Sequence, residues 1–143
     1  MNIKVRFADL KDIAAIADMD GGLSTAQLIW KLQHKEIIIA ISKPEGRAIG
    51  FIRLEYLWSK QPYISLIRVI PDEQRKGVGK KLLAFAESFL AGRGLTKLYS
   101  SSQEDEAEPQ QWHRHVGFTE CGIINGINDG VGEVMFVKSL PAG

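Results

Sequence analysis

Residues Tyr63 to Leu83 read YISLIRVIPDEQRKGVGKKLL. The first part, Ile64 to Ile70, is rich in β-branched residues and predicts a strand, which Pro71 stops. A loop from Gln74 to Gly79 follows. An amphipathic helix comes next, with Val78, Leu82, Leu83, Ala86, Phe89 and Leu90 at spacings of three, four and seven. A glycine-punctuated turn between strand and helix aims unpaired backbone N–H groups at one point, and the helix dipole adds partial positive charge there. Gly77 and Gly79 carry no Cβ, so an anion can approach the backbone closely. Arg75, Lys76, Lys80 and Lys81 surround that point with cations. The stretch reads as a seat for a diphosphate.

Most motifs that make such a seat are excluded by single residues. A Walker A loop requires Ser or Thr after its Gly-Lys, and here Lys81 follows Lys80; the place five before Gly79 is Gln74, not glycine. A dinucleotide fingerprint requires a third glycine where Leu82 stands. What remains is Gln/Arg-x-x-Gly-x-Gly/Ala after a Val-x-Pro strand end. That pattern resembles motif A of the GNAT superfamily of N-acetyltransferases, whose loop holds the pyrophosphate of acetyl-coenzyme A. The match covers Ile67, Val69, Pro71, Gln74, Gly77 and Gly79 without a gap. An ordinary strand–loop–helix connection explains neither the two glycines together nor the basic ring.

At 143 residues the chain is expected to form one domain, 1–143, a size that buries about 70% of its unfolded surface. A net charge of +1 argues against a protein made to bind nucleic acid or acidic membranes. The single cysteine, Cys121, excludes an internal disulfide and any cysteine-cluster metal site; a small buried hydrophobe is its expected role. No apolar run approaches the ~18 residues of a membrane span, and the N-terminus lacks a signal peptide's pattern, so a cytoplasmic protein is expected.

The flanking sequence supplies the remaining elements. Ile3 to Phe7 alternates as a strand, and Asp9 can cap a helix reaching Met19, with Ile13, Ala14, Ile16 and Ala17 inward. Gly21 and Gly22 break it. Ser24 and Gln27 form a capping-box pair opening a helix to Lys35. Ile37 to Ser42 predicts a strand buried on both faces, Pro44 to Gly46 a turn, and Ala48 to Trp58 another strand. Gln61 and Pro62 lead into the strand of the phosphate motif. Beyond the stop signals Gly92 and Gly94, Thr96 to Ser102 predicts a strand. An acidic turn from Gln103 to Glu108 and a short helix from Pro109 to Val116 come next. Phe118 to Ile124 and Glu133 to Ser139 predict a hairpin across a glycine-rich loop from Asn125 to Gly132. The order β-α-α-β-β-β-α-β-α-β-β is that of the GNAT family. It implies an α+β fold, a mixed, mostly antiparallel twisted sheet with helices on both faces.

A second local resemblance lies in Trp112, His113, Arg114, His115, Val116, Gly117 and Phe118, which is similar to the family's motif B. Read alone, the segment is equally well a helix C-terminus with a glycine stop. The resemblance implies that the pantetheine arm of acetyl-coenzyme A, the expected co-substrate, pairs with the backbones of Ile67 and Val69. It also implies that Gln74, Arg75, Lys76, Gly77, Val78, Gly79 and Lys80 form the pyrophosphate loop.

Acetyl transfer to an amine needs a neutral amine, stabilisation of developing negative charge on oxygen, and a proton for the departing thiolate. Motif B often carries a tyrosine four residues before its glycine as the proton donor; His113 stands there, with an unperturbed pKa of about 6.5 suited to that work. Trp112 is expected to pack inward and leave the imidazole free to face the sulfur. Tyr63 stands where some members carry a glutamate base. Glu55, on the preceding strand, is a substitute base or else a solvated strand residue. His113 and His115 do not share a helical face and have no acidic partner at helical spacing, so no metal is expected. His34 reads as helix-end structure. Trp30, Tyr56, Trp58 and Trp112 are core residues or the lining of an acceptor pocket. Arg53 and Arg68 are structural ion pairs or acceptor contacts.

The resemblance implies an enzyme moving acetyl from acetyl-coenzyme A to a primary amine. Its expected partner is a small-molecule or peptide amine acceptor, with no nucleic acid and no membrane, and with a homodimer possible. The rival is an acyl-coenzyme A binding or sensing module on the same fold, supported by the absence of the familiar tyrosine and glutamate. A weaker rival is a nucleotide-binding domain, which predicts ATP and magnesium dependence.

Overall fold

The computed structural model describes residues 2–141. Its elements are β1 (Asn2–Phe7), a 3-10 turn (Leu10–Asp12), α1 (Ile13–Met19), α2 (Thr25–Gln33), β2 (Ile37–Lys43), β3 (Arg47–Leu57), β4 (Gln61–Val69), a second 3-10 turn (Pro71–Glu73), α3 (Val78–Gly92), β5 (Lys97–Gln103), α4 (Ala107–His115), β6 (Thr119–Asn128) and β7 (Val131–Ser139). Their order is the one expected. The strands form a seven-stranded sheet in the order β1-β2-β3-β4-β5-β7-β6. The β4–β5 pair is parallel, at Tyr63↔Tyr99 and Ile64↔Ser100, whereas β1–β2, β2–β3, β5–β7 and β6–β7 are antiparallel. Among the described residues no helix is long and apolar enough to cross a membrane.

The chain divides into two compact units. The first runs to Leu54 and resumes over Leu66–Ala86. Its core joins Ala8, Ile16, Leu28, Leu32, Ile37, Ile39, Ile41 and Phe51. β2 is buried from Ile37 through Ser42, as its unbroken apolar run requires. Asp9 caps the first 3-10 turn rather than a single helix to Met19, because Asp12 closes a capping box there and pairs with Arg6 at 2.8 Å. Only Ile16 is buried on α1, and Ala14 and Ala17 face solvent, since seven residues make barely two turns. The Ser24–Gln27 capping box forms as expected.

Charge pairing fixes the segments that follow α1. Arg53 pairs with Asp20, whose carboxylate also accepts from the Gly22 N–H, and Arg68 donates to the Met19 carbonyl at 3.0 Å. For Arg53 this is the structural ion pair that was one of its two expectations, whereas Arg68 holds a backbone carbonyl. Lys31, buried on α2, donates to Glu36 at 2.8 Å and to the Leu54 carbonyl at 2.7 Å. A buried ammonium is tolerated only with such partners. Trp30 and Trp58 are not core: both are exposed, Trp30 stacked on His34 at the end of α2 and Trp58 in the β3–β4 turn at φ +52°.

The second unit comprises Glu55–Ser65 and the chain from Glu87 onward. Here the hairpin differs from expectation. β6 continues to Asn128, and Asp129 (φ +45°) and Gly130 (φ +92°) alone make the turn. Both central residues are left-handed, the geometry that matches strand twist in a two-residue hairpin. Cys121 lies exposed on β6, not buried, and local desolvation with neighbouring Glu120 pushes its thiol up from the ordinary value.

Candidate active site

The expected phosphate loop lies wholly in the first unit. β4 ends at Val69, and the Gln74 amide donates back to the Val69 carbonyl at 3.0 Å, holding the loop to the strand end. Arg75 (φ +64°) and Gly77 (φ +82°) are both left-handed. The first helical bond of α3 runs from the Lys81 N–H to the Gly77 carbonyl at 3.1 Å. The N–H groups of Val78, Gly79 and Lys80 therefore precede it and point out of the helix start. Residues 74–77 are exposed, as are Lys80 and Lys81, whereas Val78 is 1% exposed and anchors the turn. Among the described residues nothing lies within 4 Å of where a Cβ on Gly77 would stand. The cationic ring is smaller than expected, because Lys76 is paired with Glu73 at 3.3 Å.

Gly50, unremarked in the sequence, sets this turn's depth. A Cβ there would lie 2.8 Å from the Arg68 carbonyl oxygen and 3.3 Å from both Val78 and Leu82. Glycine inside a strand marks such close backbone approach. Ile67 and Val69 are half-buried on β4.

The proton-transfer candidates all lie in the second unit. Glu55 accepts from the Ser65 hydroxyl at 3.2 Å. The Tyr63 hydroxyl lies 2.6 Å from Ser101 Oγ, and Ser101 donates to Glu133 Oε2 at 2.5 Å. Asn128 donates to the other oxygen of Glu133 at 2.8 Å. Ser101 and Glu133 were invisible in the sequence, since only the register of β5 against β7 brings them together.

His113 is not free to face a ligand. It is 3% exposed, and Trp112 is the half-buried neighbour, the reverse of the expected arrangement. Its Nδ1 lies 2.7 Å from the Pro109 carbonyl, which can only accept, so Nδ1 carries the hydrogen. Nε2 then accepts from the Ser100 hydroxyl at 2.7 Å. The ring stacks on Phe136 at 4.6 Å and meets Phe118 edge-on at 5.4 Å. With both nitrogens satisfied the imidazole is buried at little cost, and that burial pushes its pKa below the ordinary value. A neutral imidazole with its only hydrogen on a carbonyl does not fit a donor to a thiolate.

Residues 10–118 match the model of the acetyltransferase (GNAT) family. The chain belongs to the GNAT family. This GNAT chain is 29% identical to a streptothricin acetyltransferase of Streptomyces lavendulae over 101 residues, 68% of its own length and 53% of the relative's. It thus spans about half the length of that protein. It is 28% identical over 109 residues to an aminoglycoside N(6′)-acetyltransferase type 1 of Salmonella typhimurium (strain LT2), covering 71% of this chain and 74% of that one. The structure of Ard1 from Thermoplasma volcanium shares the fold, with a TM-score of 0.82 at 17% identity over 99% of each chain.

Proposed function

We propose that this GNAT chain transfers the acetyl group of acetyl-coenzyme A to a primary amine on a small molecule. The observation that carries the reading is the turn ahead of α3. Two left-handed residues, Arg75 and Gly77, sit beside a helix start whose first three N–H groups precede its hydrogen bonding, and open space lies over Gly77. Such a concavity of backbone donors suits a diphosphate without metal. Gln74, Arg75, Lys76, Gly77, Val78, Gly79 and Lys80 would hold the diphosphate, and the backbones of Ile67 and Val69 would take the amides of the pantetheine arm. When bound, acetyl-coenzyme A supplies an activated thioester. The protein's own part is positioning, worth up to ~7–11 kcal/mol when two reactants are aligned, together with moving the amine proton. A small amine acceptor is supported by the names of the relatives, which act on streptothricin and on aminoglycosides.

A second reading has one observation in its favour. His113 holds the place of the family's donor and is committed to internal partners, which suits a module that binds acyl-coenzyme A without turnover. Calorimetry with acetyl-coenzyme A, followed by coenzyme release against a panel of streptothricins, aminoglycosides, polyamines and peptides, separates the two. Binding with amine-dependent release is expected. Binding with no release from any amine favours the module, and no binding overturns both.

A further inference from the structure

We propose that Glu73 competes with the diphosphate of the coenzyme for Lys76, and so holds coenzyme affinity low enough for release after each turnover. This deepens the coenzyme reading above and rests on it. The observation is an acid inside an anion site. Between Pro71 and Lys81 stand four cations, Arg75, Lys76, Lys80 and Lys81, and two acids, Asp72 and Glu73. Asp72 pairs away from the turn, with Arg47 of β3 at 3.3 Å. Glu73 pairs within it: Lys76 Nζ donates to Glu73 Oε2 at 3.3 Å. The two partners differ in freedom. The Glu73 side chain is 12% exposed, its N–H donates to the Ile70 carbonyl at 3.0 Å, and the next residue, Gln74, is tied to Val69. The Lys76 side chain is 52% exposed on a flexible four-carbon stem. When an anion arrives, the lysine is the member that moves and the carboxylate stays.

The charges decide the sign. A diphosphate seated on the turn draws Lys76 Nζ from Glu73, so the ion pair is lost on binding. The diphosphate also meets the carboxylate as a like charge. Both effects weaken binding, each by about two- to fivefold, the scale of an exposed ion pair. They fall alike on acetyl-coenzyme A and on free coenzyme A, which share the diphosphate and differ only at sulfur. Binding energy common to both does not speed the chemical step, and an excess of it slows product release. Glu73 touches no reacting atom; it sets how long the coenzyme stays. All of these residues belong to the first compact unit.

The test is calorimetry at low ionic strength on wild type, Glu73→Gln, Lys76→Met and the double variant, each checked for folding by thermal melting. Glu73→Gln should bind acetyl-coenzyme A and coenzyme A about two- to tenfold more tightly, by the same factor for both. Dephospho-coenzyme A, which keeps the diphosphate and lacks the 3′-phosphate, should tighten equally. The gain should shrink as salt is raised, because exposed charges are screened. Lys76→Met should cost more affinity in the Glu73→Gln background than in wild type, where part of the ammonium's attraction is offset by the pair it gives up. Stopped-flow displacement should show slower release of coenzyme A from Glu73→Gln. Unchanged or weaker binding by folded Glu73→Gln overturns the proposal, as does a Lys76→Met loss equal in both backgrounds. Tightening confined to ligands that carry the 3′-phosphate overturns it too. A wild type that binds no coenzyme removes the coenzyme reading and this proposal together. Binding by wild type with an indifferent Glu73→Gln removes the proposal alone.

Discussion

Lowering the pH should destabilise this protein through His113. The imidazole is neutral in the native state, its two nitrogens held by Pro109 and Ser100 and its ring stacked on Phe136. Burial depresses its pKa, whereas the unfolded chain takes up a proton near the ordinary value. Below that value the unfolded state therefore binds more protons than the native one, and stability is lost as pH falls toward the folded pKa. With an unfolded pKa of about 6.5, a group that stays neutral in the native state costs at most about 1.4 kcal/mol between pH 7.5 and pH 5.5. That is a large share of a stability of roughly 5–15 kcal/mol. Asp12 does not intrude, because the hydrogen bond from Arg6 lowers its pKa and its contribution is lost only as pH falls below the ordinary aspartate value. Urea unfolding at pH 5.5 and 7.5 measures the difference, and His113→Gln, which keeps a donor and an acceptor without titrating in this range, is the control. The variant should start less stable and lose almost nothing over the same interval. If wild type is equally stable at both pH values, or if the slope persists in His113→Gln, the neutral buried imidazole is wrong.

Three further outcomes follow from the site. Gly77→Ala meets no neighbour, so its cost is that of a left-handed alanine, roughly 1–2 kcal/mol; coenzyme affinity should fall with it, and a folded variant with unchanged affinity by calorimetry removes the site from this turn. Gly50→Ala places a methyl against the Arg68 carbonyl at 2.8 Å, which should cost about 1–3 kcal/mol and weaken coenzyme binding by displacing β4 and Val78; an unshifted melting temperature would refute the close-approach account. Glu55→Gln keeps the bond from Ser65; if Glu55 takes the amine proton, kcat at saturating substrate should fall by on the order of 10²-fold, and a change of only a few-fold would leave it a strand residue without a catalytic part.

The turn between β4 and α3 was legible because its requirements are local. A strand end, a proline, two glycines and an amphipathic helix occupy twenty-one consecutive residues, Tyr63 to Leu83. The capping box of Ser24 and Gln27 was legible for the same reason. What failed depended on the register of distant strands. Tyr63, Ser101 and Glu133 meet across β4, β5 and β7, and no spacing along the chain announces that. His113 was misplaced because a resemblance transfers a position and not a surrounding: the hydroxyl of Ser100 that draws it inward lies on β5, outside the helix that carries the resemblance. Two misses were avoidable. The dipeptide Asp129-Gly130 carries the two-residue hairpin signal within a stretch read as one long loop. Gly50, inside a strand, carries the signal for close approach.

The exposed thiol of Cys121 bears on how turnover can be followed at all. Chromogenic disulfides that reveal released coenzyme A react with any accessible thiolate, and this chain presents one cysteine on the outer strand β6. Because desolvation and Glu120 keep that sulfur more protonated than an ordinary cysteine, it should consume dye slowly rather than in a burst. The artefact is then a drifting baseline of one equivalent per chain, easily mistaken for slow hydrolysis of the thioester. Replacing the exposed Cys121 with serine would make the true background readable.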